Sequence, residues 1–336
     1  MAANSKIEWT DASWTPIRAR NLKTGKIGWH CEHVTSGCEF CYAENMNKRL
    51  GTGLSFKPGH RKDIQIFLDE TMLLAPLRWK KPRMIFVCSM TDAFADFVKD
   101  EWLDKMFAVM ALCPQHTFQV LTKRPERMRE YVDRAKVRAP AVNEYVCGLA
   151  QSRSASSDER LQIINAATER WPLPNVWLGT SCEDQKTFNE RWPHLRATSA
   201  AVTFISMEPL LGPIFFRPAK PDWIIVGGES GPKARPMHPQ WVRNIRDQCK
   251  AAGVPFFFKQ WGAFVPSRFK TTNNSGVVED RASCAWITTA WPDGTIGNGH
   301  KDEHGGYGIS LERETKKDAG RLLDGIEHNE FPAVVR

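Results

Sequence analysis

No stretch of this 336-residue chain approaches the ~18 consecutive apolar residues that a membrane-spanning helix requires. Met1 to Ser13 lacks a positively charged start followed by an apolar stretch, so no secretory signal is read there. Internal repeats and sustained low-complexity tracts are missing too, which excludes solenoid and fibrous architectures. Acidic side chains are in deficit, 38 against 46 Lys and Arg, leaving a formal charge of +8 that favours a polyanionic partner. Cysteines number nine, an odd count without a signal peptide, so a disulfide framework is not expected and clustered thiols point to a metal. The expectation is a soluble, cytoplasmic protein with no membrane association.

What is present is enough apolar material, 42% of residues, to bury a large core. Short runs rich in β-branched or aromatic residues recur at Met84–Cys88, Thr117–Leu121, Val176–Leu178, Val202–Ile205, Trp223–Val226 and Pro255–Phe258. Between most of them lie stretches of helical periodicity, such as Trp102–Leu112, Arg124–Lys136 and Gln240–Ala252. Alternation of this kind predicts an α/β fold with a parallel sheet, and the unbroken apolar runs suit strands covered on both faces. The chain divides on this reading into a partial (β/α) barrel of about six parallel strands over residues 1–261, with a Ser-rich surface insertion near 151–170. Residues 262–336 form a C-terminal extension that either caps the barrel mouth or decorates it; Trp261, Phe264, Trp286 and Trp291 offer mouth walls, with core packing the commoner use of tryptophan.

A polar or ionisable group follows each run: Ser89, Thr91 and Asp92, then Thr122, Lys123 and Arg124, then Thr180, Ser181 and Glu183. Ser206 and Glu208, Gly227, Gly228 and Glu229, and finally Lys259 and Gln260 complete the series. In parallel α/β folds such strand ends converge where active sites are built. Any one cluster is explained as well by a wet loop; six together favour a site.

Cys31, Cys38 and Cys41 stand at C-x6-C-x2-C spacing, with Gly37 easing a tight turn. Three thiolates can hold three irons of a 4Fe–4S cluster and leave the fourth open to the amino and carboxylate groups of S-adenosylmethionine (SAM). The same cysteines with His30 or His33 would make a tetrahedral zinc site. Spacing alone leaves iron–sulfur, zinc and no metal open. The ending Cys38-Glu39-Phe40-Cys41 resembles the end of the radical SAM signature. The wider pattern is similar to a phage-associated three-cysteine-motif family of radical-SAM-like proteins, through Ser89-Met90-Thr91-Asp92, Met207-Glu208-Pro209, Gly227-Gly228-Glu229 and Phe258-Lys259-Gln260-Trp261. The resemblance implies a 4Fe–4S cluster and SAM as cofactors and a flavodoxin- or ferredoxin-like electron donor. It implies also that one-electron reduction of SAM releases a 5′-deoxyadenosyl radical. Two departures stand out: the first gap is six residues rather than three, and the Gly-Gly-Glu triplet comes late. Ser89 and Asp92 are assigned the amino end of SAM and Glu229 the mouth, with Thr180, Ser181, Glu208, Gly227 and Gly228 as further cofactor contacts. Gly227 and Gly228 are read equally as a turn requiring positive φ.

Seven basic residues against three acidic ones between Lys123 and Arg138 suggest a path for a polyanion, with Lys123, Arg124, Arg127 and Lys259 as substrate contacts. The plain alternative is a solvated helix with i,i+4 ion pairs. The leading expectation is radical modification or repair of a nucleic-acid base or nucleotide. The alternatives are a radical SAM enzyme acting on a small metabolite or peptide, and a non-catalytic, zinc-stabilised nucleic-acid-binding protein.

Overall fold

The computed structural model describes residues 5–151, 171–218, 220–266, 287–290, 296–297 and 309–333. The fold is α/β, a parallel half-barrel sheet with helices. Its residues form two compact units, the first comprising Met1–Ser181 with Asn189–Ser206 and the second Cys182–Phe188 with Met207–Arg336.

The first unit opens with β1 (Ala12–Trp14), β2 (Ile17–Asn21) and β3 (Ile27–Gly28), followed by α1 (Tyr42–Leu50), β4 (Ile64–Leu68) and α2 (Glu70–Leu73). Next come β5 (Met84–Val87), α3 (Asp100–Ala111), β6 (Thr117–Thr122), α4 (Pro125–Asp133), α5 (Ala135–Gln151), β7 (Val176–Ser181), α6 (Gln185–Ala197) and β8 (Val202–Met207). Strands β1, β5, β6, β7 and β8 pair in that order, all parallel. Every residue of β7 is buried, as the unbroken apolar run requires of a strand covered on both sides. Gly179 breaks that run because the ring of Phe204 lies where its Cβ would be, 2.6 Å away. Helix α3 buries Leu103, Met106, Phe107 and Met110, an i, i+3, i+4, i+7 stripe, and begins on Asp100 and Glu101, which suit the positive end of its dipole. A small antiparallel sheet, β3-β2-β4, carries the chain into and out of the cysteine segment.

The second unit contributes β9 (Trp223–Gly227), α7 (Pro239–Ala252) and β10 (Phe256–Gln260), with β9 and β10 parallel. Seven parallel strands therefore stand where about six were expected. The addition is β1, whose three residues Ala-Ser-Trp carry no apolar run to betray them. Strands β11 (Phe264–Pro266), β12 (Ile287–Ala290), β13 (Ile296–Gly297) and β14 (Ile309–Arg313) make a separate antiparallel sheet. A hairpin of β15 (Leu322–Leu323) and β16 (Ile326–Glu327) turns through Asp324 and Gly325, both at positive φ, as a two-residue hairpin turn requires.

The described end of the chain lies along β10. Asn329 bridges Phe257, Phe258 N donates to His328 O at 3.0 Å, and Trp223 Nε1 donates to Glu330 O at 2.8 Å. That segment covers an open strand edge. Trp261 packs edge-on against Phe258 and donates Nε1 to Leu322 O at 2.9 Å, so it serves the core. Trp286, Trp291 and the insertion from 152 to 170 lie outside the described residues. Among the described residues no helix is long and apolar enough to cross a membrane.

Candidate functional site

The three cysteines bracket the start of α1. Cys38 closes a short 3-10 turn, Ser36–Cys38, and accepts through its carbonyl from Cys41 N at 3.3 Å; Cys41 is then the N-cap of α1. The N–H groups of Ala43 and Glu44 point at the Cys41 sulfur and favour its thiolate, although burial outweighs them and pushes the thiol pKa up. Burial raises the Cys31 thiol further, aided by the Asp92 charge and opposed by Arg124. Each thiol lies within the electrostatic reach of the other two. Cys31 and Cys41 pack with Trp29 against Ala43, Phe56 and Met90, a wall that excludes water.

Among the described residues no three His, Cys, Asp or Glu side chains converge on one point, as a single ion would require. An iron–sulfur cube is gripped at three separate corners by thiolates, and the donor type of these three cysteines is the one it takes. The histidines that would complete a zinc site are engaged elsewhere. His33 Nε2 lies 2.6 Å from Glu44 Oε2, and His30 Nε2 lies 3.4 Å from Glu32 Oε1 with its ring tilted on Phe97. Arg61 grips the same Glu32 with two nitrogens, Nη2 at 2.7 Å, and holds its carboxyl below the usual carboxylate range.

Several polar side chains pin the cysteine loop. Buried Asn47 accepts from Trp29 N at 2.9 Å and Thr52 N at 3.1 Å, and donates to Thr52 Oγ1 and Leu54 O. Its amide fits because neighbouring Gly28 and Gly51 have no side chain: a Cβ on either would meet Asn47 Oδ1 at 2.5 or 2.2 Å. Thr91 Oγ1 donates to His30 O at 2.5 Å, and Arg191 reaches Ser181 O at 2.6 Å and Thr35 Oγ1 at 3.5 Å.

The strand ends of the first unit lie beside this loop. Cys88, after β5, turns the chain at φ 58, a left-handed conformation unusual for cysteine. The Ser89 carbonyl then accepts from Tyr42 Oη at 2.7 Å. Asp92 is buried and accepts from Phe94 N, Thr122 Oγ1, Lys123 N and Arg124 Nη1, all within 3.1 Å. Its carboxylate is thus an organiser of the β5 and β6 ends. Arg124 also reaches Glu32 O at 3.4 Å, and Lys123 lies within the field of Cys41. Thr180 spends its hydroxyl on Thr122 O at 2.9 Å, and Ser181 is buried beside Arg191.

A second group belongs to the second unit. Lys259 Nζ lies 2.9 Å from Glu208 Oε1, both half-shielded from water. Neither Gly227 nor Gly228 has positive φ, so the turn explanation fails for both. Close approach explains them instead: a Cβ on Gly227 would meet Glu208 Oε1 at 2.4 Å, and one on Gly228 would meet Trp261 O at 1.8 Å. Glu229 is buried in a two-pronged pair with Arg235, Oε1 to Nη2 at 2.7 Å and Oε2 to Nε at 2.8 Å.

The basic stretch after β6 is largely spoken for. Arg127 donates to Ala95 O and Val98 O and pairs with Asp100 at 3.3 Å. Arg138 pairs with Asp104 and Asp100 of α3, and Arg129 makes an i,i+4 pair with Asp133. Asn47, Glu44, Arg61 and Arg191 were not singled out from the sequence. One signal was present: α1 buries Ala43, Glu44 and Asn47 while exposing Tyr42, Met46 and Leu50, the reverse of ordinary helix patterning.

A family model described as "Protein of unknown function (DUF5131)" matches residues 4–332. No curated protein matches the sequence. Two solved structures of spore photoproduct lyase variants align over 93% of this chain and 71% of theirs, at 11% and 10% identity with TM-scores of 0.35 and 0.34.

Proposed function

We propose that this chain, which belongs to the DUF5131 family of proteins of unknown function, is a radical-SAM-like enzyme holding a 4Fe–4S cluster on Cys31, Cys38 and Cys41. The observation that carries the reading is the set of three mutually coupled thiols around the N-terminus of α1, with both nearby histidines turned to carboxylates. When bound, the cluster and SAM would supply one-electron chemistry that no side chain can perform. The chain's own part is to present three sulfurs, shield them with Trp29, Phe56 and Met90, and place the positive charges of Arg124 and Lys123 beside them. Ser89 and Ser181 are the proposed SAM contacts of the first unit.

The substrate class proposed is a nucleic-acid base or nucleotide, supported by the +8 charge and by Lys123 near Cys41. A small metabolite or peptide is the second reading, favoured by the internal engagement of Arg127, Arg138 and Lys259.

Anaerobic reconstitution with iron and sulfide, followed by dithionite and SAM, tests the first step. Iron and sulfide near four each per chain and release of 5′-deoxyadenosine are expected. Cys38→Ala should lose the brown absorbance and the cleavage together. Zinc in place of iron, or cleavage that survives the substitution, would refute the assignment.

A further inference from the structure

Half-buried Trp29 keeps one polar atom that nothing in the structure satisfies. Its Nε1 is sealed from solvent and has no hydrogen-bond acceptor among the described residues. Trp14, Trp223 and Trp261 show what a buried indole N–H ordinarily finds: each donates to a backbone carbonyl, at 2.8 to 2.9 Å. An N–H removed from water without such a partner opposes folding, so its persistence calls for a physical account.

Trp171 Nε1 is in the same condition, with its ring tilted on Phe107. What sets Trp29 apart is the company it keeps. Its ring packs with Cys31 and Cys41 against Ala43, Phe56 and Met90, and the side-chain heteroatoms of that group other than Nε1 are all sulfur. A neutral thiol or thioether is a poor acceptor, whereas a metal-bound thiolate or sulfide carries the negative charge that makes a good one. The indole is also fixed from two directions. Trp29 N donates to Asn47 Oδ1 at 2.9 Å, and the Arg18 guanidinium, anchored on Gly28 O at 3.1 Å, stands 4.8 Å from the ring centroid. A donor held in this way loses little freedom on meeting an acceptor.

We propose that Trp29 is a positioning residue for the bound cluster: its Nε1–H donates to a cluster sulfide or to a ligating cysteine thiolate, and so raises the reduction potential. The inference rests on the proposed function, since the acceptor exists only if the cysteines carry a cluster. On reduction one electron passes from the reductant to the cluster, and the indole keeps its proton. The added negative charge strengthens the N–H···S bond, so the donor favours the reduced state.

The test compares the full wild-type chain with Trp29→Phe, each reconstituted anaerobically with iron and sulfide and titrated spectroelectrochemically. The substitution removes the donor and keeps an aromatic ring in the wall, and the potential should shift to a lower value. A ring that only excludes water predicts the opposite sign, because water admitted past the smaller side chain also favours the more negative, reduced cluster. A second measurement needs no variant to fold. Wild type labelled with indole-15N tryptophan and reduced with dithionite should show a hyperfine coupling between the cluster and an indole nitrogen by pulsed electron paramagnetic resonance. That coupling should be lost in Trp29→Phe. An unchanged or raised potential, or a wild-type spectrum without the coupling, overturns the role of Trp29. A chain that takes up zinc or no metal strikes the proposed function and this inference with it, a result that metal analysis reports separately from the potential.

Discussion

Arg124 Nη1 lies 3.0 Å from Asp92 Oδ2, and the same guanidinium acts on the Cys31 thiol. One buried carboxylate thereby fixes a positive charge at the edge of the three-sulfur set. The charge is steadied from the other side by Glu32 O. A cation held there lowers the cost of adding negative charge to a bound cluster, and reduction is such an addition.

Arg124→Gln should therefore lower the reduction potential of the reconstituted centre. It should also destabilise the fold by about 1–3 kcal/mol, because Asp92 keeps its burial and loses a charged donor. Spectroelectrochemical titration and urea denaturation measure the two effects. An unchanged potential would detach Arg124 from the centre.

Asn47 makes four hydrogen bonds from a nearly sealed position. Asn47→Ala strands the Trp29 and Thr52 amides, at about 2–3 kcal/mol. Cluster content per chain should fall with it, since Trp29 leads directly into Cys31. Thermal denaturation beside iron analysis checks both; full iron loading in a destabilised variant would show that the staple serves stability alone.

Asp324 answers to pH. Arg243 and Arg246 of α7 hold its carboxyl at about 2, below the ordinary 3.8. A depressed carboxylate stabilises the fold above its unfolded value and loses that contribution as pH falls from about 3.8 towards about 2. With the side chain 36% exposed, solvent screening reduces the gain to roughly 1 kcal/mol. Asp324→Asn keeps a residue that tolerates the left-handed turn and removes the charge. Its stability deficit should be present at pH 7 and gone near pH 2, read by denaturant titration at each pH. A deficit independent of pH would point to the turn and away from the ion pairs.

The strands that carry the parallel sheet were legible because full burial on both faces leaves unbroken apolar runs, as in Val176–Ser181. Strand β1 escaped because its pairing with β5 depends on position, with Trp14 buried there for reasons no local pattern reveals. The thiol trio was legible as spacing. The ring of side chains that holds it was not, since Glu32 and Arg61 stand 29 residues apart and Arg191 reaches Thr35 across 156. Arg127 and Arg138 belong to a stretch readable as a polyanion path or as a helix with i,i+4 pairs, and their partners, Ala95, Val98, Asp100 and Asp104, come instead from the preceding loop and helix.

Amide, hydroxyl, carboxylate and guanidinium groups fasten Trp29, His30, Glu32 and Thr35. Small metal-dependent domains collapse when stripped of their ion because the ion is their core. Here the clasp consists of amides, hydroxyls and carboxylates. A centre of the proposed kind would then enter a loop already fastened by the protein's own polar groups, and one destroyed by oxygen would be replaceable without resynthesis of the polypeptide.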